Sequence, residues 1–165
     1  MSRTETTLAV MSILFCGAIF GFFYAWVCST MWGLDAADPR VAIAAMQAMN
    51  GSVRNAVFFP AFFLTPVVLA VTAAMFFLRG RKAPAGWFVA AALVYLVFGL
   101  FLTISVNVPM NEALAVVAVP GDIEAARTIW QDYSDRWQFW NQVRTAASGL
   151  SLALAAMGVV QGGRA

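Results

Sequence analysis

The stretch WQDYSDRWQFWNQVR, residues 130–144, sets three tryptophans, a tyrosine, an asparagine and two arginines just before the last apolar run of the chain. On a helix advancing about 100° per residue, Trp130, Tyr133, Trp137, Asn141 and Arg144 share an arc of roughly 100°, with Trp140 at its edge. Asp132, Asp135 and Glu124 fall on the opposite side. Such a face offers flat aromatic surfaces for stacking and, at its end, amide and guanidinium donors suited to an oxyanion. A belt of interfacial tryptophans is set by depth rather than angle. Trp130 and Trp140 lie about 15 Å apart along a helix axis, too far for one interface. The alignment therefore points to a face turned toward other helices, with Trp140 the best belt candidate. Arg144 has two readings: a guanidinium snorkelling to headgroups, or one turned inward to hold polar partners or an anion.

A second cluster is TISVNVPMNEAL. Asn107 and Asn111 are four residues apart and share a helix face, with Pro109 between them. Proline removes a backbone hydrogen bond, so a kink or helix end is expected here, with carbonyls freed near Val106. The asparagines either satisfy those carbonyls or turn their amides into a cavity. Tyr24 shares a face with Gly17, Gly21 and Cys28, and Gly-xxx-Gly permits close helix contact in membranes. That spacing turns Tyr24 toward the bundle and leaves a homo-oligomer open. Met46, Gln47, Met49 and Asn50 precede Arg54 and Asn55, and Pro60 and Pro66 are expected to interrupt the span that follows. A proton acceptor is harder to find; Glu112 and Tyr133 are the candidates.

The 165 residues are 62% hydrophobic and 11% charged, with a mean hydropathy of +0.79. A soluble domain carries about 25% charged residues, so the lipid bilayer is the expected surrounding. The net charge of +2 and the lack of a basic block argue against nucleic acid. There is no histidine, and Cys16 and Cys28 would stand about 18 Å apart on one helix, too far to bridge. No metal site is expected.

Four stretches reach the roughly 20 apolar residues a span requires: about 8–32, 56–78, 86–108 and 143–160. The first is too long and too weakly basic in front for a signal peptide. Asp38-Pro39 opens an outer helix at about 39–52. Pro120-Gly121-Asp122 opens another at about 122–142 that runs on into the fourth span. The expected fold is all-α: one domain, residues 1–165, a four-transmembrane-helix bundle with helical extensions projecting on the non-cytoplasmic side. RGRKAP (79–84) is the strongest basic cluster, which places both termini in the cytoplasm of an inner (plasma) membrane protein. Asn50, Asn55, Asn107, Asn111, Asn141, Arg144 and Tyr24 then all map to the outer ends of the spans.

Three motifs, AMQAMN (45–50) with FFPAFF (58–63), NVPMNEAL (107–114) and W-xx-Y-xxx-W-xx-W-N-xx-R (130–144), resemble the anthrone oxygenase-like membrane family over nearly the whole chain. The matching positions are Met46, Gln47, Asn50, Asn107, Pro109, Asn111, Trp137, Asn141 and Arg144. The resemblance implies four spans and the oxidation of anthrones to anthraquinones by dioxygen, the activity in which fungal members are implicated, without an obvious cofactor. Many relatives carry histidine where this chain has Asn141, and a small polar residue is more usual at Glu112. On this resemblance Asn141, Arg144, Asn107 and Asn111 are the expected catalytic residues. Tyr24, Asn50, Trp130, Tyr133 and Trp137 are the expected contacts to a hydrophobic aromatic or quinone-like molecule, with no metal and no cofactor. The alternatives are a non-enzymatic binder of a lipid, quinone or hydrophobic metabolite, and a structural membrane subunit. A cavity distinguishes a site from a structural polar network.

Overall fold

The computed structural model describes residues 1–164. Four helices are long and apolar enough to cross a membrane: α1 (Arg3–Asp35), α3 (Phe58–Leu78), α4 (Lys82–Ala115) and α5 (Ile123–Arg164). A shorter helix, α2 (Pro39–Ser52), links α1 to α3. No strand occurs among the described residues, so the fold is an all-α four-span bundle. Both termini and the α3–α4 turn lie at one end; α2 and the α4–α5 connection lie at the other.

The local signals operate as their chemistry dictates. The Asp38 carboxylate accepts the Arg40 amide at 2.9 Å with Pro39 in the first turn of α2. The Arg40 side chain, which donates to the same carboxylate, and its backbone amide hold the Asp38 pKa down at about 2. Asp122 accepts the Ala125 amide at 2.8 Å and starts α5. At 42 residues, α5 is about 63 Å long, twice the roughly 30 Å hydrocarbon thickness. Its first half stands clear as an arm against which α2 and the ends of α1 and α4 pack around Met31, Ile43, Met46 and Trp130. Gln47 donates to the carbonyls of Leu114 and Val117, at 2.8 and 2.9 Å, and so satisfies the C-terminal end of α4.

Three expectations are corrected. First, Pro60 and Pro66 do not interrupt the second span: α3 runs unbroken from Phe58 to Leu78. Pro66 cannot bond the Phe62 carbonyl one turn back, and the buried Tyr95 hydroxyl donates to it instead at 2.8 Å. Second, Pro109 does not end the third span. The helix loosens into π turns over Tyr95–Phe101 and Thr103–Asn107, and an α-helical segment resumes at Val108 with Pro109 in its first turn, where a missing N–H costs least. Third, the Gly17–Gly21–Tyr24–Cys28 face of α1 does not pack into the bundle. Tyr24 is 50% exposed and no atom of another element stands within 4 Å of where a Cβ on Gly17 or Gly21 would be. The buried face is Ala9, Ser12, Cys16, Ile19 and Phe23. Ser12 bonds Thr72 at 2.9 Å and Cys16 contacts Ser151, which fixes this register. The two cysteines are free, Cys16 buried and Cys28 exposed.

The end that holds the termini has an apolar groove of about 640 Å³ on the outside of the α3–α4 pair, lined by Phe77, Lys82, Gly86 and Val89, but its inside is filled with rings. Phe76 and Phe88 stack with centroids 5.6 Å apart, against Gly158 and Gly162 of α5. Glu5, buried, closes a capping box with Ser2 and pairs with Arg81 at 3.1 Å and Arg79 at 3.5 Å.

Candidate functional site

The opposite half of the bundle is open inside. A cavity of about 400 Å³ lies among α1, the end of α2, and α3, α4 and α5. Aromatic rings make most of its wall: Phe22, Phe23 and Trp26 from α1, Phe58, Phe59, Phe62 and Phe63 from α3, and Trp137 from α5. Polar groups enter it from Asn50 of α2, Thr103, Asn111 and Glu112 of α4, and Arg144 of α5. The π turns of α1 and α4 bracket this space: Trp26–Thr30 on one side and Tyr95–Phe101 and Thr103–Asn107 on the other. A π turn swells the helix by one residue and re-aims the side chains beyond it, a device frequent at functional sites.

Arg144 is only 5% exposed, yet it pairs with no carboxylate among the described residues. Its Nε donates to Asn141 Oδ1 at 2.9 Å and Nη1 reaches Thr103 Oγ1 at 3.4 Å. The guanidinium lies over the rings of Phe23 and Trp137, at 4.4 and 4.9 Å from their centroids. Cation–π contacts of this kind contribute up to about 2 kcal/mol each. The cost of burying an unpaired charge is several kcal/mol. The protein thus holds a cation that the described residues solvate only in part, with no hydrogen bond from Nη2 among them.

A second set of donors is oriented by a hydrogen-bond chain. Asn50 Nδ2 donates to the Tyr133 hydroxyl at 3.3 Å, and that hydroxyl donates to Asn111 Oδ1 at 2.8 Å. Trp137 Nε1 donates to the same Asn111 oxygen at 2.9 Å. With both lone pairs of that oxygen occupied, the Asn111 amide has its NH₂ donors left over, and Asn50 has its oxygen left over. Both residues line the cavity with Arg144. The wall therefore carries guanidinium and amide donors together with acceptors, the Asn50 amide oxygen and the Glu112 carboxylate.

The expected residues divide into three groups. Arg144, Asn111, Asn50 and Trp137 reach the cavity itself. Asn141 and Tyr133 stand behind it. Asn141 accepts from Arg144 and donates to the Phe23 carbonyl at 3.3 Å, so it ties the arginine to α1. Asn107 is fully buried at the same end, and neither of its amide atoms has a partner among the described residues. Trp130 and Tyr24 lie apart. Trp130 Nε1 donates to Asp35 at 2.9 Å, as Ser134 and Gln138 also do, and so fastens the end of α1 to α5. Tyr24 faces outward, stacked on Phe20. Trp140 is only partly buried, the exception on its face.

Sequence reasoning did not assign the α1 wall, Phe22, Phe23 and Trp26, nor Thr103. Trp26 packs on Trp137 at 5.2 Å between centroids. The aromatic run FGFFYAW was the available signal, and only its tyrosine was singled out.

Among the described residues no three His, Cys, Asp or Glu side chains gather where a metal ion would be held. No curated protein and no solved structure matches the chain. A family model described as anthrone oxygenase matches residues 53–154, from the approach to α3 through most of α5, and takes in Arg54, Asn111, Glu112, Trp137 and Arg144. The chain belongs to the anthrone oxygenase family.

Proposed function

We propose that the cavity binds an anthrone-like or quinone-like aromatic and stabilises its anion on Arg144, so that the carbanion reacts directly with dioxygen. The observation that carries this reading is the buried guanidinium without a carboxylate partner, at the wall of an aromatic cavity. About 400 Å³ falls within the range of small-molecule pockets and accommodates three fused rings. A purely structural network has no use for the space.

In this reading Glu112, the carboxylate on the lining, takes a proton from the ring methylene. The negative charge moves to the carbonyl oxygen, where Arg144 and the Asn111 amide donate to it. The carbanion adds dioxygen to give a hydroperoxide, which loses water to leave the second carbonyl. One anthrone and one dioxygen yield one anthraquinone and one water, with dioxygen the oxidant and no cofactor in the balance. Asn141 holds the arginine rather than acting as a base, so the asparagine present here suffices for that role. The basic α3–α4 turn supports a reading in which the cavity faces the outer leaflet of an inner membrane.

Oxygen uptake by purified protein with anthrone, corrected for spontaneous oxidation, tests the proposal. Uptake above the uncatalysed rate that is lost in Arg144→Met and Glu112→Gln supports it. Binding without uptake leaves a carrier or sensor of the same class of molecule.

A further inference from the structure

The cavity has two rims of opposite character. On the aqueous side Arg54 Nη2 donates to Glu112 Oε1 at 3.2 Å, a bridge from the approach to α3 across to α4, with both side chains more than half exposed. On the lateral side, Phe59 and Phe63 of α3 and Ile104 of α4 line the cavity and also expose 40%, 43% and 47% of their surface. Helices α3 and α4 pack side by side from their connecting turn as far as Tyr95–Phe101, where Tyr95 is bonded to the Phe62 carbonyl. Past Thr103 they part, at the second π segment of α4. What faces outward at the gap is apolar, and in a spanning bundle that surface meets acyl chains.

We infer that the ligand reaches Arg144 sideways from the bilayer, between Phe59 and Phe63 on one side and Ile104 on the other, while Arg54 and Glu112 bridge the aqueous rim. This rests on the proposed reading of the cavity. A neutral polycyclic aromatic concentrates in the hydrocarbon, and an apolar gap admits it without desolvating a charge. The anion forms only inside, against the guanidinium. The gap therefore selects for neutral, flat, membrane-dissolved molecules and against aromatics that carry a permanent charge.

The test uses the full chain in lipid nanodiscs and two probes, 2-hydroxyanthraquinone and anthraquinone-2-sulfonate, with association followed by the probe's visible or near-ultraviolet absorbance. The inference expects the hydroxy compound to bind and the sulfonate, held in water by its charge, to bind at least about ten-fold more slowly. Ile104→Trp, or Phe63→Trp from the other rim if the first does not fold, slows association of the hydroxy compound about ten-fold, whereas Arg54→Gln leaves it within about two-fold. Comparable rates for the two probes overturn the lateral route, as does acceleration by Arg54→Gln with no effect of the tryptophan plugs. Equal binding by wild type and Arg144→Met instead removes the proposed function, and the route falls with it.

Discussion

The two ends of the bundle each bury a charge and treat it in opposite ways. At the end with the termini, Glu5 accepts from the Ser2 amide and pairs with Arg81 and Arg79, so the helix cap and the α3–α4 turn both supply it with donors. Rings of α3 and α4 come within contact distance of Gly162 and Gly158 on α5. At the other end Arg144 has two aromatic faces, an amide oxygen and a distant hydroxyl, but no anion among the described residues, and a cavity opens beside it. A buried charge that is fully paired contributes to one definite packing. A buried charge left half-solvated costs stability in isolation and gains it back only from a guest of opposite sign. The first arrangement is that of a scaffold; the second is the one expected of the proposed site.

Substitutions that exchange these properties test the contrast. Arg144→Met is expected to weaken binding of 2-hydroxyanthraquinone about 100-fold, the order of a charge-assisted hydrogen bond pair, without lowering the melting temperature of the free protein appreciably. Parallel loss of melting temperature and binding would make the arginine structural. Glu5→Ala should do the reverse, lowering stability by about 2 kcal/mol while probe affinity holds; denaturant titration alongside a binding isotherm checks it. Gly158→Ala puts a Cβ 2.8 Å from the stacked ring of Phe88, so a loss of about 1–2 kcal/mol is expected by the same titration. Tyr24→Phe, on the outward face of α1, should leave both affinity and stability unchanged within about 0.5 kcal/mol. A binding defect in that variant would return Tyr24 to the site.

The aligned face of α5 was legible because one side of that helix meets solvent or headgroups, so polarity alternates with the helical period. Asp132 and Asp135 point away, and Trp130, Tyr133, Trp137, Asn141 and Arg144 point in. The same logic fails on α1. There both faces are apolar, one toward lipid and one toward the core, and the sequence carries almost no amphipathic signal to orient it. Small residues at Gly17 and Gly21 pointed to close packing, but Ser12, Cys16 and Phe23 set the register through hydrogen bonds and ring contacts to residues distant in the chain. The π turn over Tyr95–Phe101 was invisible for a related reason, since one additional residue per turn leaves no mark in an apolar stretch. Pro109 announced a break, yet a widened turn absorbed it. Thus the polar residues of the candidate site could be read from α2, α4 and α5, with Trp137 and the α3 aromatic motif, while its α1 aromatic wall could not.

The spectrum of bound 2-hydroxyanthraquinone tests the central claim most directly, because its phenol and phenolate differ in colour. At a pH below the free compound's own pKa, the wild-type protein should bind it as the phenolate, and Arg144→Met should bind whatever it retains as the neutral phenol. A wild-type complex that holds the neutral phenol would contradict the assignment of Arg144 as the anion's partner.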